Sequence, residues 1–325
     1  MVKLGLVFDL RNPQAWARPM AQVYASALDV AEEADRLGIG GLWFSEHHRF
    51  VDGYLPQPLT FAAAVAARTR QARLGTCVMQ PALRIPAQLA EEAAVVDILS
   101  SGRLELGVGA GYRVPEFELF GVEGNQRYER TEAAITEIRR MWADGSVTPP
   151  PVQGSLPVWG GFYGPRGARL AGRLGMGLLY MSRARFADYS AALVAAGHPA
   201  ESARVSGLMP IILADDPDRT LHEIAPHLAH QQDTYAFHEA EGTGKEPRPP
   251  VDPYELTRPG PDGAPASFQV LTPQDAAIYL RERSRDLPVE HLILWASIAA
   301  MPEHVVNRHV ELVCHDLTRE LGIAP

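Results

Sequence analysis

GLWFSEHHRF, residues 41–50, runs from a short apolar stretch straight into a cluster of titratable groups. Leu42, Trp43 and Phe44 read as a glycine-flanked strand that delivers Ser45, Glu46, His47 and His48 at its C-terminal end, where parallel sheets and barrels present their chemistry. A neutral histidine gives or takes a proton near pH 7, and a neighbouring glutamate orients or charges it, so His47 and Glu46 are the candidate acid/base residues. Successive strand side chains point to opposite faces, which argues against a metal shared by His47 and His48. No metal site is expected.

Outward from this strand, apolar runs alternate with helical patterns. Residues 3–8 and 73–79 read as strands on either side of it, and 104–108, 156–159, 177–181, 205–213 and 291–296 continue the series. Between them lie helical faces such as Met20, Val23, Tyr24, Ala27, Ala31 and Ala34, or Thr131, Ile135, Ile138 and Trp142. Thr272, Pro273 and Asp275 read as a helix start, with Thr capping and Pro in the first turn. Eight strand-helix units in one chain predict an α/β fold with a single (β/α)8 TIM barrel over residues 1–325. Residues 239–267, rich in Pro, Gly and charge, read as an insertion too polar to form core and as a candidate lid.

Composition narrows the function. The chain has 325 residues, 46% of them hydrophobic, and a formal net charge of -9, which argues against nucleic acid as a partner. Cys77 and Cys314 are the only cysteines, so no disulfide framework is expected, and a cytoplasmic protein without signal peptide or membrane span is the reading.

Two further stretches fall at the same end of the predicted barrel. In SSGRLELGVGAGY, residues 100–112, alternating Gly107, Gly109 and Gly111 allow a flat ligand or another backbone to approach; the spacing does not match a dinucleotide fingerprint. In WGGFYGPRGARLAGRLG, residues 159–175, a strand passes through a glycine-rich loop into a helix, an arrangement suited to a phosphate, with Arg166 supplying charge. Arg127 and Arg130 are further candidates for the same anion.

Taken in order, FSEHHRF (44–50), ARLGTCVMQPALRIPAQLAEEAAVVDILSSGRLELGVGAGY (72–112), FELFGVEGNQRYER (117–130) and LPVWGGFYGPRGARLAGRLG (156–175) closely resemble the bacterial luciferase-like family of flavin-dependent oxidoreductases. The resemblance implies a TIM barrel with insertions and a reduced flavin, FMN or the deazaflavin F420, across its mouth. It implies a non-prolyl cis peptide near Thr76, Cys77 and Val78 beneath the flavin ring, and therefore Thr76 and Cys77 at the cofactor. His47 matches the first histidine of the family's EHH motif, Arg127 a phosphate-contacting arginine, and Gly161, Gly164, Arg166 and Gly167 the phosphate loop, which here lacks the hydroxyls of several members. Ala110 stands where light-emitting members carry arginine, which argues against light emission.

The activity implied is that of a monooxygenase using O2 and FMN reduced by a separate flavin reductase, through a flavin peroxide, on a small organic or natural-product substrate. Hydride transfer with F420 is the alternative, and a non-catalytic flavin-binding subunit a third. A homodimer is expected from the resemblance.

Overall fold

In the computed structural model, which describes residues 2–260 and 266–323, eight parallel strands close into a barrel. They are β1 (Lys3–Phe8), β2 (Gly41–Phe44), β3 (Arg73–Thr76), β4 (Leu104–Val108), β5 (Val158–Gly160), β6 (Gly177–Leu179), β7 (Val205–Met209) and β10 (Val289–Trp295). Each pairs with its sequence neighbour except across the last gap, where β7 joins β10 and β10 joins β1. The (β/α)8 reading of the sequence is therefore the fold.

The helices α1 (Met20–Arg36), α2 (Pro58–Arg68), α3 (Pro86–Leu99), α5 (Arg127–Ala143), α6 (Pro165–Arg173), α7 (Arg183–Ala195), α9 (Pro273–Ser284) and α10 (Glu303–Glu311) follow successive strands, with short α4 (Val114–Leu119) ahead of α5. Proline at the first turn starts α2, α3, α6 and α9, where its missing N–H costs nothing. Thr272 caps α9 as expected, accepting the Asp275 N–H at 3.2 Å. A π-helical turn, Leu312–Leu317, separates α10 from α11 (Thr318–Leu321).

The seventh strand departs from the sequence reading. The run 205–213 breaks at Pro210: β7 stays in the barrel, while β8 (Ile211–Leu213) leaves it to pair in parallel with β9 (Gln269–Leu271), a strand the sequence did not announce. Proline has no N–H for the barrel ladder, and its carbonyl instead accepts from Gln269 at 2.8 Å. Between β8 and β9 lie the long α8 (Pro217–Ala240) and the polar excursion, of which residues 261–265 lie outside those described. The excursion is not all surface. Leu256, within it, and Phe268, immediately after it, are buried in one cluster with Ile212, Ile224 and Met301, which ties the polar segment to the rim of the barrel.

The barrel interior is filled by a polar-aromatic layer. Trp43 and Trp159 are fully buried, and each lies opposite a glycine of the next strand, Gly75 and Gly177. A Cβ at Gly75 would come within 2.2 Å of the Trp43 ring, and one at Gly177 within 2.3 Å of the Trp159 ring, so these glycines make room for the indoles. Glu105 ties the layer together. It accepts from Arg73 Nε at 2.7 Å and Trp159 Nε1 at 2.7 Å, and stands 3.4 Å from His291 Nε2. Burial alone would raise its carboxyl, but the hydrogen bonds and charges of His291 and Arg73 outweigh that and draw it down to about 2.

Candidate functional site

At the C-terminal rim the chain leaves β2 and turns under hydrogen bonds to its neighbours. The Ser45 hydroxyl donates to the Phe8 carbonyl at 3.0 Å, and the His47 N–H to the Leu55 carbonyl at 3.2 Å. These bonds aim His47 into the mouth. Its Nδ1 lies 2.8 Å from Glu116 Oε1, and its side chain keeps 13% exposure. Glu116 Oε1 also accepts the His48 N–H at 2.9 Å and faces Arg113 at 3.2 Å, while Oε2 accepts from Gln80 Nε2 at 3.1 Å. Burial opposes ionisation of Glu116, but the bond and charge of His47, the His48 N–H and Arg113 hold its carboxyl at about 2. An ionised Glu116 only accepts, so Nδ1 carries the proton of neutral His47 and Nε2 keeps its lone pair. Among the described residues Nε2 has neither a partner nor a buried position.

Glu46, the acid expected to serve His47, points elsewhere. Its fully buried carboxylate meets His48 Nε2 at 2.7 Å and Arg84 at 2.9 Å through Oε1, and accepts the Gln80 N–H at 3.0 Å through Oε2. Alternation of side chains along the chain sends Glu46 and His48 into the wall and His47 into the mouth. The acid on His47 comes instead from α4, 69 residues downstream. Sequence reading missed Glu116, although an acid in the first turn of a helix begun by Pro115 is a visible pattern.

The walls around His47 are aromatic. Phe50 stacks on its ring at 4.7 Å, and Tyr54, Tyr112 and Tyr235 present edges at 4.8, 5.5 and 5.8 Å. Across the mouth, Tyr163 is 79% exposed and meets Tyr180 edge-on at 5.0 Å.

The floor is where β3 meets β4 and β5. The Cys77–Val78 peptide is cis, where the resemblance implies one. Thr76 is fully buried and its hydroxyl donates to the Gly107 carbonyl at 2.6 Å, so this side chain is spent inside the wall. Cys77 is half-buried, and burial pushes its thiol up to about 12, which leaves it protonated and a weak nucleophile. A Cβ at Gly109 or Gly161 would come within 2.6 or 2.4 Å of the Val78 side chain, and one at Gly107 within 1.8 Å of the Thr76 carbonyl oxygen. The close approach anticipated for the β4 glycines is therefore that of the β3 chain.

The expected phosphate residues gather at the start of α6. Gly164 caps this helix without a side-chain bond, and a Cβ there would meet nothing within 4 Å. The N–H groups of Arg166 and Gly167 in the first turn point outward along the helix axis, as any helix start leaves them. Arg127 and Arg166 flank one ring: their guanidinium carbons lie 5.3 and 4.5 Å from the Tyr128 centroid. Arg166 is also paired with Glu129 at 2.5 Å, an exposed contact that an arriving anion exchanges at little cost. Gly161 and Gly167 answer packing instead. The Gly161 N–H is taken by the Val108 carbonyl at 2.8 Å, and a Cβ at Gly167 would lie 2.2 Å from Phe162. Arg130 does not join the cluster, since its Nε donates to the Ala82 carbonyl at 3.1 Å.

One face of α8 closes the other side of the mouth. Gln231, Tyr235 and His238 follow at helical spacing. Gln231 Oε1 accepts from Arg11 at 2.6 Å, Tyr235 exchanges a hydroxyl hydrogen bond with Tyr54 at 2.8 Å, and His238 Nδ1 lies 2.8 Å from buried Arg113. Arg11 is in turn held by Asp52 at 2.6 Å, so both arginines of this wall are already neutralised. Burial lifts Asp9 beside them to about 6, against the opposing charge of Arg11. Sequence reading sought apolar faces and so passed over this polar one. Trp16 stacks on His227 at 3.9 Å, and Phe44 is fully buried between Phe8 and Phe61.

A separate cleft of about 440 Å³ opens between α1 and α10 and reaches Asp9 and Arg11, but no residue of the His47 cluster lines it. Among the described residues no group of three or more His, Cys, Asp or Glu side chains is placed to hold a metal, and no helix is long and apolar enough to cross a membrane.

With this geometry in view, the comparisons with known proteins are informative. The sequence profile of the luciferase-like monooxygenases matches residues 5–282. The F420-dependent glucose-6-phosphate dehydrogenase of Amycolatopsis mediterranei is 32% identical over 48% of this chain and 53% of its own length. The oxygenase component of the flavin-dependent trigonelline monooxygenase of Acinetobacter baylyi is 32% identical over 37% of this chain and 34% of its own. The matches thus span about a third to a half of these curated relatives. A monooxygenase from Streptomyces bottropensis superposes with a TM-score of 0.78 at 24% identity, over 98% of this chain and 99% of that one, a likeness of fold.

Proposed function

This chain belongs to the luciferase-like monooxygenase family, and from that membership we propose a monooxygenase that uses reduced FMN, supplied by a separate reductase, and O2 to oxygenate a small organic substrate. The observation that carries the reading is the opposition of two seats across one mouth: an anion seat at Arg127, Arg166 and the start of α6, and the His47–Glu116 pair under an aromatic wall. A phosphorylated flavin would suit both, with Arg127, Arg166 and the start of α6 holding its phosphate and the floor at Cys77 and Val78 supporting its ring. When bound, the reduced flavin supplies the electrons that activate O2.

The chain's own groups do the rest. His47 Nε2 takes or returns a proton at the reacting atom, and Glu116 stabilises the imidazolium that forms. Tyr112, Tyr163, Tyr180 and Tyr235 exclude water from the mouth. Residues 239–267, of which 261–265 lie outside those described, are proposed as the lid of a single barrel domain, a reading supported by the Glu241–Arg113 pair at 2.6 Å, which ties the start of the segment to the mouth. Hydride transfer with F420 is the second reading, favoured by the longer stretch shared with the F420-dependent dehydrogenase. Anaerobic titration with reduced FMN and reduced F420, followed by air, separates them: FMN preference with oxygen-dependent product is the expected result, and F420 preference without oxygen uptake rejects the first reading.

Arg166→Ala and Arg127→Ala are each expected to weaken FMN about tenfold and riboflavin hardly at all, as loss of one charge-assisted phosphate contact requires. Equal weakening of both ligands, read by fluorescence quenching, would remove the phosphate assignment.

A homodimer is also proposed. α3 buries Leu89, Ala93 and Val96 while leaving Val95, Ile98 and Leu99 exposed at 46, 36 and 53%, an apolar strip that a second copy would cover. Light scattering should give the mass of two chains, and Leu99→Lys that of one; a wild-type monomer at micromolar concentration would contradict this.

A further inference from the structure

Three features of the mouth, taken together, restrict what the proposed oxygenase accepts. The base is a lone pair: with Nδ1 bound to Glu116, the open Nε2 of His47 accepts a hydrogen bond and has none to give while the ring is neutral. The walls are flat and apolar, with Phe50 stacked on His47 and the rings of Tyr112 and Tyr235 edge-on to it. The cations of this wall are spent, Arg11 on Asp52 and Gln231, Arg113 on Glu116 and Glu241. A carboxylate or phosphate at the reacting end would find no counter-ion here, since the accessible guanidiniums stand at the cofactor's anion seat.

From these observations, and resting on the oxygenase reading above, we infer that the substrate is a neutral aromatic hydroxyl compound, a phenol, whose O–H donates to His47 Nε2 while its ring lies against the exposed ring of Tyr112. Tyr112 supplies the aromatic contact, and the hydroxyl supplies orientation. The chemistry balances. As the O–H bond gives its proton to Nε2, electron density rises at the ring carbon beside the hydroxyl, which is the position an electrophilic oxygen attacks. One atom of O2 replaces the hydrogen on that carbon as a second hydroxyl, the other leaves as water, and reduced flavin supplies the two electrons and two protons. Glu116 is a positioning residue in this scheme: it holds the tautomer that makes Nε2 an acceptor and offsets the charge of the imidazolium.

The test uses the full chain and two probes alike in shape, 4-methylphenol, which stays neutral at pH 7, and 4-methylanisole, which lacks the O–H. Calorimetry on the wild type should give about tenfold tighter binding of the phenol, the return for one hydrogen bond to the open imidazole nitrogen. In His47→Phe, which keeps the stack on Phe50 and removes the acceptor, the ratio should fall to near one. Equal affinities in the wild type, or an undiminished ratio in the variant, would overturn the inference. Should the variant not fold, 15N-histidine labelling reads the same contact: the His47 Nε2 resonance should move with 4-methylphenol and not with 4-methylanisole, and a resonance that ignores both refutes it. The two readings fail separately. Phenol preference in a chain that does not bind FMN sinks the oxygenase and leaves the phenol site, whereas FMN binding without the preference sinks only the phenol site.

Discussion

His47→Ala is expected to fold, to retain FMN and to turn over about 10²–10⁴-fold more slowly, the loss that follows removal of a positioned acid/base group. Among the described residues, the imidazole is the one titratable side chain around the mouth that combines an open nitrogen with a fixed tautomer, and neither Cys77, held protonated by burial, nor the paired arginines replace it. The pH profile gives an independent check. If His47 acts as a base in tandem with Glu116, Glu116→Gln should lower turnover as well and shift the acid limb, because a neutral amide no longer stabilises the imidazolium, whereas Glu116→Asp should recover part of the rate. Turnover in His47→Ala within a factor of about three of wild type, set against the 10² minimum, would end its catalytic assignment.

The largest effect on stability is expected from Glu105→Leu. The change leaves Arg73 short of its carboxylate and strips the Trp159 N–H and His291 of their acceptor inside the barrel, a loss on the order of 3 kcal/mol for breaking a buried ion pair from one side. Urea denaturation reads it directly, and a cost below about 1 kcal/mol would show that the tryptophans, not the charge network, hold the layer. The acid limb has a defined sign. Glu105 and Glu116 both ionise in the folded chain at about 2 against an ordinary value of 4.5. The stability each contributes is thus complete above about 4.5 and is lost as pH falls from there toward 2. The variant, with one such group fewer, should lose less stability across that window than wild type.

Much of the frame could be read from residue order. The alternation of apolar runs with helical faces led to the barrel, because each strand needs the next strand and a covering helix to bury its side chains. The prolines at the first turns of α2, α3, α6 and α9, and the Thr272 cap, marked helix starts through interactions a few residues long. His47 was singled out too, as a titratable group at the end of a barrel strand, although only the structure separates it from Glu46 and His48, which turn into the wall. Gly164 and Arg166 stood out for a similar reason, a glycine-rich turn leading into a helix start.

What failed was assigned by adjacency where distance in space ruled. Glu46 lies beside His47 in sequence but diverges from it, and Glu116 reaches the same imidazole only after β3, α3 and β4 have carried the chain around the barrel. Gly107, Gly109 and Gly161 invited a ligand, yet the space above them is taken by Thr76 and Val78, whose position follows from strand register. The excursion looked too polar to pack, yet Leu256 within it is buried in one cluster with Phe268 just beyond its end. Local sequence therefore determined the elements, their order and the groups at strand ends, because those depend on propensity, periodicity and short-range hydrogen bonds. Tertiary structure alone decided which acid serves His47, which arginines remain accessible to an anion and what closes the mouth, because these are contacts between chain segments that only the closed barrel brings together.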